Sequence, residues 1–108
     1  MLFRSFPGLT EFPPPAALAT LGDPDVIRHA ASTTAHEALD LGVNWVLAPD
    51  ADLDIEPTNP IVQTRAFGSD PKLVGVAAAL WVQACQEAGA LACIKHFPGH
   101  GQIGRAYV

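Results

Sequence analysis

The residues best equipped for chemistry stand where an apolar run ends. Leu91-Ala92-Cys93-Ile94 leads directly into Lys95-His96, and a Phe97-Pro98-Gly99-His100-Gly101 turn follows. A cation and an imidazole are costly beside a buried strand unless partners or a ligand meet them. At the C-terminal end of a strand, that placement marks a sugar or anion site in an α/β protein. A second polar group, Asp50, Asp52 and Asp54, follows another apolar run, and Arg65 lies in the loop beyond it. Neighbouring parallel strands place these ends on one side, so the patches share a crevice that Arg65 reaches. Cations and an aspartate around a crevice suit a substrate dense in hydroxyls, held by charge-assisted hydrogen bonds.

Each residue also has a plainer reading. Lys95 can be a solvated strand end, Arg65 a loop-anchoring ion pair, and Asp52 a brace for its loop. Asp50 and Asp54 read as solvated or structural carboxylates. His96 and His100 have the spacing of a helical zinc pair, but Pro98 and Gly99 between them forbid that helix. No metal and no cofactor is expected, and His100 is expected to hydrogen-bond backbone and shape the turn. His29 and His36 read as surface or packing residues. Cys85 and Cys93 lack metal-ligand spacing and read as small apolar fillers.

The elements that must position these residues follow from local signals. Residues 1–22 read as loop, since Pro7-Gly8 and the Pro13-Pro14-Pro15 run exclude regular helix. Asp23-Pro24 is an N-cap followed by proline in the first turn, and apolar residues at three- and four-residue steps predict a helix over 24–40, stopped by Gly42. Residues 43–48 predict a short strand closed by Pro49. A polar loop runs over 50–69, long enough inside a small domain to carry function. Asp70-Pro71 repeats the cap signature and predicts a helix over 71–88, ended by Gly89, before a second strand over 91–95. Both strands are apolar without alternation, as in parallel strands buried on two faces. Helix, strand, long loop, helix, strand is the repeat of a barrel or a doubly wound sheet. Neither strand is followed by a glycine-rich phosphate or dinucleotide loop, which disfavours an oxidoreductase-type domain.

Composition sets the outer limits. The 108 residues suffice for one small domain, and 49% hydrophobic with 16% charged residues fits a globular protein. A net charge of −5, with no basic stripe, argues against a nucleic-acid binder. No apolar run approaches a membrane span and no signal peptide is evident, so the expectation is a cytoplasmic protein. Two strands cannot close a barrel or cover their own apolar faces. The chain is therefore expected to be a fragment of something larger, of low stability or self-associating through exposed strand edges.

Lys95-His96-Phe97-Pro98-Gly99-His100-Gly101 resembles the Lys-His-Phe-Pro-Gly-His-Gly signature of glycoside hydrolase family 3, most closely its β-N-acetylhexosaminidase branch. Gly42-Val43-Asn44-Trp45, Ala48-Pro49 and Asp52 resemble that family's Gly-Ile-Asn…Ala-Pro-x-x-Asp-Val strand. Asn59-Pro60 and Arg65-Ala66-Phe67-Gly68-Ser69-Asp70-Pro71 resemble its Asn-Pro…Arg-Ser-Phe-Gly-x-Asp-Pro loop, and Phe6 to Pro13 look like its lead-in. The resemblance implies an incomplete (β/α)8 TIM barrel of the N-terminal catalytic domain, all of residues 1–108 belonging to it, with about two helix–strand units. It implies retaining hydrolysis of terminal β-linked N-acetylglucosamine. It also implies that Arg65, Lys95 and His96, with Arg4 as a weaker match, bind the hydroxyls of the sugar, while Asp52 and His100 support them.

The departures bear on catalysis. The branch's general acid/base unit, Asp-Ser-His, falls on Ala106, Tyr107 and Val108, which retain neither the aspartate nor the histidine of that unit for the proton transfer that cleavage needs. The family's nucleophile, an aspartate on a later strand, has no counterpart, and the Asp-x-Glu-Gly-Gly stretch expected before Arg4 is missing. No residue of this chain is expected to be catalytic. The alternatives are a β-glucosidase or xylosidase of the same family and a non-catalytic sugar-binding remnant. A carbohydrate is the expected partner, with no nucleic acid and no membrane.

Overall fold

The computed structural model describes residues 8–100. In chain order it contains α1 (Pro15–Thr20), α2 (Pro24–Asp40), β1 (Trp45–Val46), a 3-10 turn (Gln63–Arg65), α3 (Pro71–Glu87) and β2 (Leu91–Ala92). The two long helices begin as their cap signatures predict. Oδ1 of Asp23 accepts from the Asp25 N–H at 2.9 Å, and Oδ1 of Asp70 from the Lys72 N–H at 2.9 Å. In both cases proline occupies the first turn, where its missing N–H costs nothing.

The short helix α1 corrects the expectation of loop throughout residues 1–22. Pro14 is extended, with φ −62° and ψ 158°, and serves as the N-cap. Pro15 then opens the helix, and Ala16-Ala17-Leu18-Ala19 are strong helix formers. A proline run therefore ends on the one helical position that tolerates proline. Leu18 is the residue α1 buries. The preceding segment is pinned to α2, as Thr10 donates its N–H and hydroxyl to the Glu37 carboxylate at 3.0 and 2.8 Å.

The core lies mainly between α2 and α3, the most extensively packed pair of elements. Ala30, Ala31 and Ala35 of α2 meet Ala77, Trp81, Ala84 and Cys85 of α3, with Ile27, Phe67 and Val74 completing the cluster. Small side chains on both helices allow a close approach, and Trp81 supplies the volume. Gly89, at φ 107°, turns the chain after α3 in a conformation that side-chain-bearing residues rarely adopt, and sits against Leu39 of α2. Cys85 is fully buried, its thiol pushed up by desolvation, and both cysteines are free.

Strands β1 and β2 are parallel neighbours, with Trp45 opposite Leu91 and Val46 opposite Ala92. Regular pairing is shorter than the predicted 43–48 and 91–95, because hydrogen bonding beyond Val46 becomes irregular. The expectation of burial on both faces is also corrected. Val46 and Ala92 pack against the helical core, whereas Trp45 and Leu91 are 58% and 59% exposed. Leu47 and Ile94 are exposed too. Helices cover one face of this two-stranded sheet, and no described element covers the other. The coarse architecture, two helix–strand units with parallel strands, is the one the sequence predicts. No helix among the described residues is long and apolar enough to cross a membrane.

Candidate functional site

The site grows out of the ends of the two strands. After Val46 and Ala92 the chains stay joined: Cys93 N–H donates to the Ala48 carbonyl at 2.8 Å, Lys95 N–H to Pro49 at 3.2 Å, and Ala51 N–H to Lys95 at 2.7 Å. Asp50 is thereby bridged to Lys95 in parallel. Between the Val46–Ala92 pair and this bridge the first chain has advanced one residue further than the second. Such an extra residue bends a strand and re-aims its side chains. Here it brings the Asp50-Ala51-Asp52 segment across the Lys95-His96 segment.

Asp52 is the hub of the site and is almost completely buried, at 3% exposure. Its Oδ2 lies 2.6 Å from Nδ1 of His96, and its Oδ1 accepts the His100 N–H at 2.7 Å. Both carboxylate oxygens are thus committed, one to an imidazole and one to the glycine turn. The turn can approach because Gly99, at φ 126°, has no side chain; a Cβ there would stand 3.3 Å from Oδ1 of Asp52. The imidazole of His100 packs edge-on against that of His96, ring centres 4.1 Å apart. The expected hydrogen bond from His100 to backbone is not seen for its ring: Nδ1 is buried without a hydrogen-bond partner among the described residues, and His100 joins the site through its own N–H and carbonyl.

Asp50 is buried beside Asp52 and accepts the Asp52 N–H on Oδ1 at 2.9 Å. Its carboxyl is pushed above the usual range, first by desolvation and then by the neighbouring Asp52. Asp52 goes the other way. Burial alone would raise it, but hydrogen bonds with Asp50, His96 and the His100 N–H outweigh burial and hold it below the usual range. The two neighbouring carboxyls are therefore shifted in opposite directions. Of the two readings of Asp50, solvated or structural, the structure favours the second, since the side chain is enclosed.

Arg65 reaches this group from the long loop. Its Nη1 donates to the Ile61 carbonyl at 2.9 Å, and its Nη2 stands 3.8 Å from Oδ2 of Asp50. That separation is a charge contact, too long for a hydrogen bond, and Oδ2 of Asp50 otherwise has no partner among the described residues. These contacts fit the loop-anchoring reading of Arg65, and they leave its side chain part-exposed at the rim. Lys95 is half-buried, and its ammonium forms no ion pair among the described residues. Arg4 lies outside the described residues, as do Ala106, Tyr107 and Val108. Exposed His29 touches Phe12 edge-on and His36 faces solvent, both away from the site.

Asp50, Asp52 and His96 offer one donor atom each within 4.8 Å of one another, a set that could hold a divalent cation. It is this set, and not the His96–His100 pair, that has a ligand-like grouping. In the structure both oxygens of Asp52, Oδ1 of Asp50 and Nδ1 of His96 are taken by one another or by backbone N–H groups.

One residue of the site enters the sequence only as part of a motif, with no role attached to it. Asn59 is 1% exposed and donates Nδ2–H to the His100 carbonyl at 2.6 Å. Its signal in the sequence is the Asn59-Pro60 pair of the family-like loop, which does not say that the amide is buried.

The chain is similar to known proteins in sequence and in fold. The family model described as "Glycosyl hydrolase family 3 N terminal domain" matches residues 2–106. A protein of Cellulomonas fimi named "Beta-N-acetylglucosaminidase/beta-glucosidase" is 45% identical over 85 residues, which are 79% of this chain and 15% of that protein. A "Beta-hexosaminidase" of Alkalilimnicola ehrlichii is 36% identical, covering 89% of this chain and 29% of its own length. A solved family 3 β-N-acetylglucosaminidase from Paenibacillus superimposes with a TM-score of 0.86 at 37% identity, over 91% of this chain and 19% of that one. The chain thus spans less than a third of each relative.

Proposed function

Taking as premise that the chain belongs to the glycosyl hydrolase family 3 N-terminal domain family, we propose that it supplies part of the sugar-binding wall of a retaining glycosidase acting on terminal β-linked N-acetylglucosamine. The names of the Cellulomonas and Alkalilimnicola relatives and of the Paenibacillus structure support that substrate class. In this reading the two helix–strand units are adjacent units of a (β/α)8 barrel, and the crevice lies on the face where its strands end.

The observation that carries the reading is the convergence of Arg65 and the Lys95-His96 pair around buried Asp52 at the ends of two parallel strands. Asp52 fixes the His96 ring through Nδ1, which leaves Nε2 free to meet a sugar oxygen. The Arg65 guanidinium and the Lys95 ammonium supply donors for neighbouring hydroxyls, and hydrogen bonds from charged groups are the stronger kind. These groups grip and orient a sugar ring. A double-displacement reaction also needs a nucleophile and an acid/base on either side of the scissile bond. Asp50 and Asp52 do not fit those roles, because Asp52 has both oxygens occupied and Asp50 is enclosed.

The test is an NMR titration of the chain with N-acetylglucosamine. Saturable shifts at the Lys95, His96 and Arg65 resonances, lost in Lys95→Ala, are expected. Absence of any saturable response sinks the reading. The double name of the Cellulomonas relative favours β-glucosides as a second substrate class, and a parallel titration with glucose ranks the two. A binding module without catalysis is the remaining reading, supported by Ala106, Tyr107 and Val108 at the acid/base positions of the motif.

A further inference from the structure

The geometry points to Asn59 as a positioning residue that clamps the loop bearing Arg65 to the loop bearing Lys95 and His96, and so sets the width of the site. Its purpose rests on the sugar-binding reading, but the clamp itself does not. Asn59 is among the largest fully buried side chains of the described residues, yet it is polar. A buried amide is tolerated only when its groups are hydrogen-bonded. Its Oδ1 accepts the Ile61 N–H at 2.9 Å, within its own loop. Its Nδ2 donates to the His100 carbonyl at 2.6 Å, across 41 residues of sequence. The partners fix which end of the amide is which, since one is a donor and the other an acceptor.

Two short paths leave this amide. On one side, residue Ile61, whose N–H is held by Asn59, accepts Nη1 of Arg65 on its carbonyl at 2.9 Å. On the other, the His100 residue held by its carbonyl uses its N–H to bind Oδ1 of Asp52 at 2.7 Å, and Oδ2 of Asp52 holds His96. One side chain thus joins the residue that anchors the arginine to the residue that steadies the aspartate behind the histidine.

Few residue types fit this position. Leucine would fill the space but leave a buried N–H and a buried carbonyl unpaired. Aspartate keeps the acceptor and loses the donor, setting a carboxylate oxygen against the His100 carbonyl. Glutamine has both groups on an arm one carbon longer. If Asn59 served packing alone, its removal would lower stability and leave Asp52 as it was. A clamp makes a different demand: freeing His100 removes one of the hydrogen bonds that hold the Asp52 carboxyl low.

The experiment uses the 108-residue chain carrying Asn59→Ala or Asn59→Asp, with the Asp52 carboxyl carbon followed by NMR through an acid titration and no sugar present. In the folded Asn59→Ala protein, which adds no charge, the Asp52 titration is expected to rise towards that of an ordinary carboxylate. Affinity for N-acetylglucosamine is expected to fall about tenfold in the same variant, equivalent to losing one good hydrogen bond. An unchanged Asp52 titration in either folded variant overturns the clamp. Should neither variant fold, the unsubstituted chain decides: a through-hydrogen-bond coupling between Asn59 Nδ2 and the His100 carbonyl carbon supports the clamp, and its absence overturns it. If the unsubstituted chain binds no sugar while Asp52 still shifts, the clamp stands and the sugar reading falls.

Discussion

Nδ1 of His96 and Oδ2 of Asp52 lie 2.6 Å apart although 44 residues separate them in sequence. The contact exists because two parallel strands end side by side and one carries an extra residue at its end. It converts a flexible imidazole into one with a fixed ring orientation. Replacing Asp52 tests how much of the site hangs on it. Asp52→Ala is expected to destabilise the chain by about 2–4 kcal/mol, because it leaves the His100 N–H unpaired and the His96 ring unsupported. Asp52→Asn, which can still accept from His100, is expected to cost about 1–2 kcal/mol. Urea unfolding followed by circular dichroism measures both, and equal costs would show that the His100 contact contributes nothing.

The opposed carboxyls of Asp50 and Asp52 predict a stability that peaks near the ordinary carboxylate value. Asp52 is lowered in the folded chain, so its contribution is present above the unfolded value and is lost as pH falls through its folded value. Asp50 is raised, so its contribution is present below the unfolded value and is lost as pH rises through its folded value. In Asp50→Asn the decline on the alkaline side is expected to disappear, leaving the variant more stable than the parent chain at pH 7. Unfolding free energies between pH 3 and 7 check this. A variant that keeps the alkaline decline would show that Asp50 is not its source.

Catalysis by the chain on its own is not expected. The carboxyl pair that the site brings together binds itself, an imidazole and backbone, so neither member is placed to attack or protonate a glycosidic bond. With an aryl N-acetylglucosaminide, release of the phenol by purified chain should not exceed the buffer rate. Turnover that vanishes in Lys95→Ala would refute this.

The bare face of the sheet predicts association. Trp45 and Leu91 are opposite one another across the strand pair, and Leu47 and Ile94 extend the exposed apolar surface towards the site. A surface of this kind seeks cover. Sedimentation velocity is expected to show the average mass rising with concentration, and Leu91→Lys should weaken that rise. A monomer at all concentrations would contradict it.

Much of this was legible in the sequence because its signals are local. Asp23-Pro24 and Asp70-Pro71 give the two long helices their starts, and each cap forms as written. The pairing of Asp52 with His96 could be anticipated only as shared proximity, since parallel strands align their ends but not individual atoms. The bond from Asn59 to His100 was illegible, because nothing in a polar loop says which amide will be buried. Helix α1 is hidden in the sequence because a proline run signals a break, whereas its last member stands at a helix start. Full strand burial was overread from apolar composition, which records what a strand prefers to touch and not whether the partner is there.

Gly99 carries a consequence for how this turn can vary. An added Cβ would come within 3.3 Å of Oδ1 of Asp52, and the backbone there, at φ 126°, disfavours any side chain. The spelling of the Pro-Gly-His turn is therefore dictated in part by an aspartate on the other strand. Positions 52 and 99 share one small volume, and in related chains a side chain should be acquired at the second only where the first has become smaller.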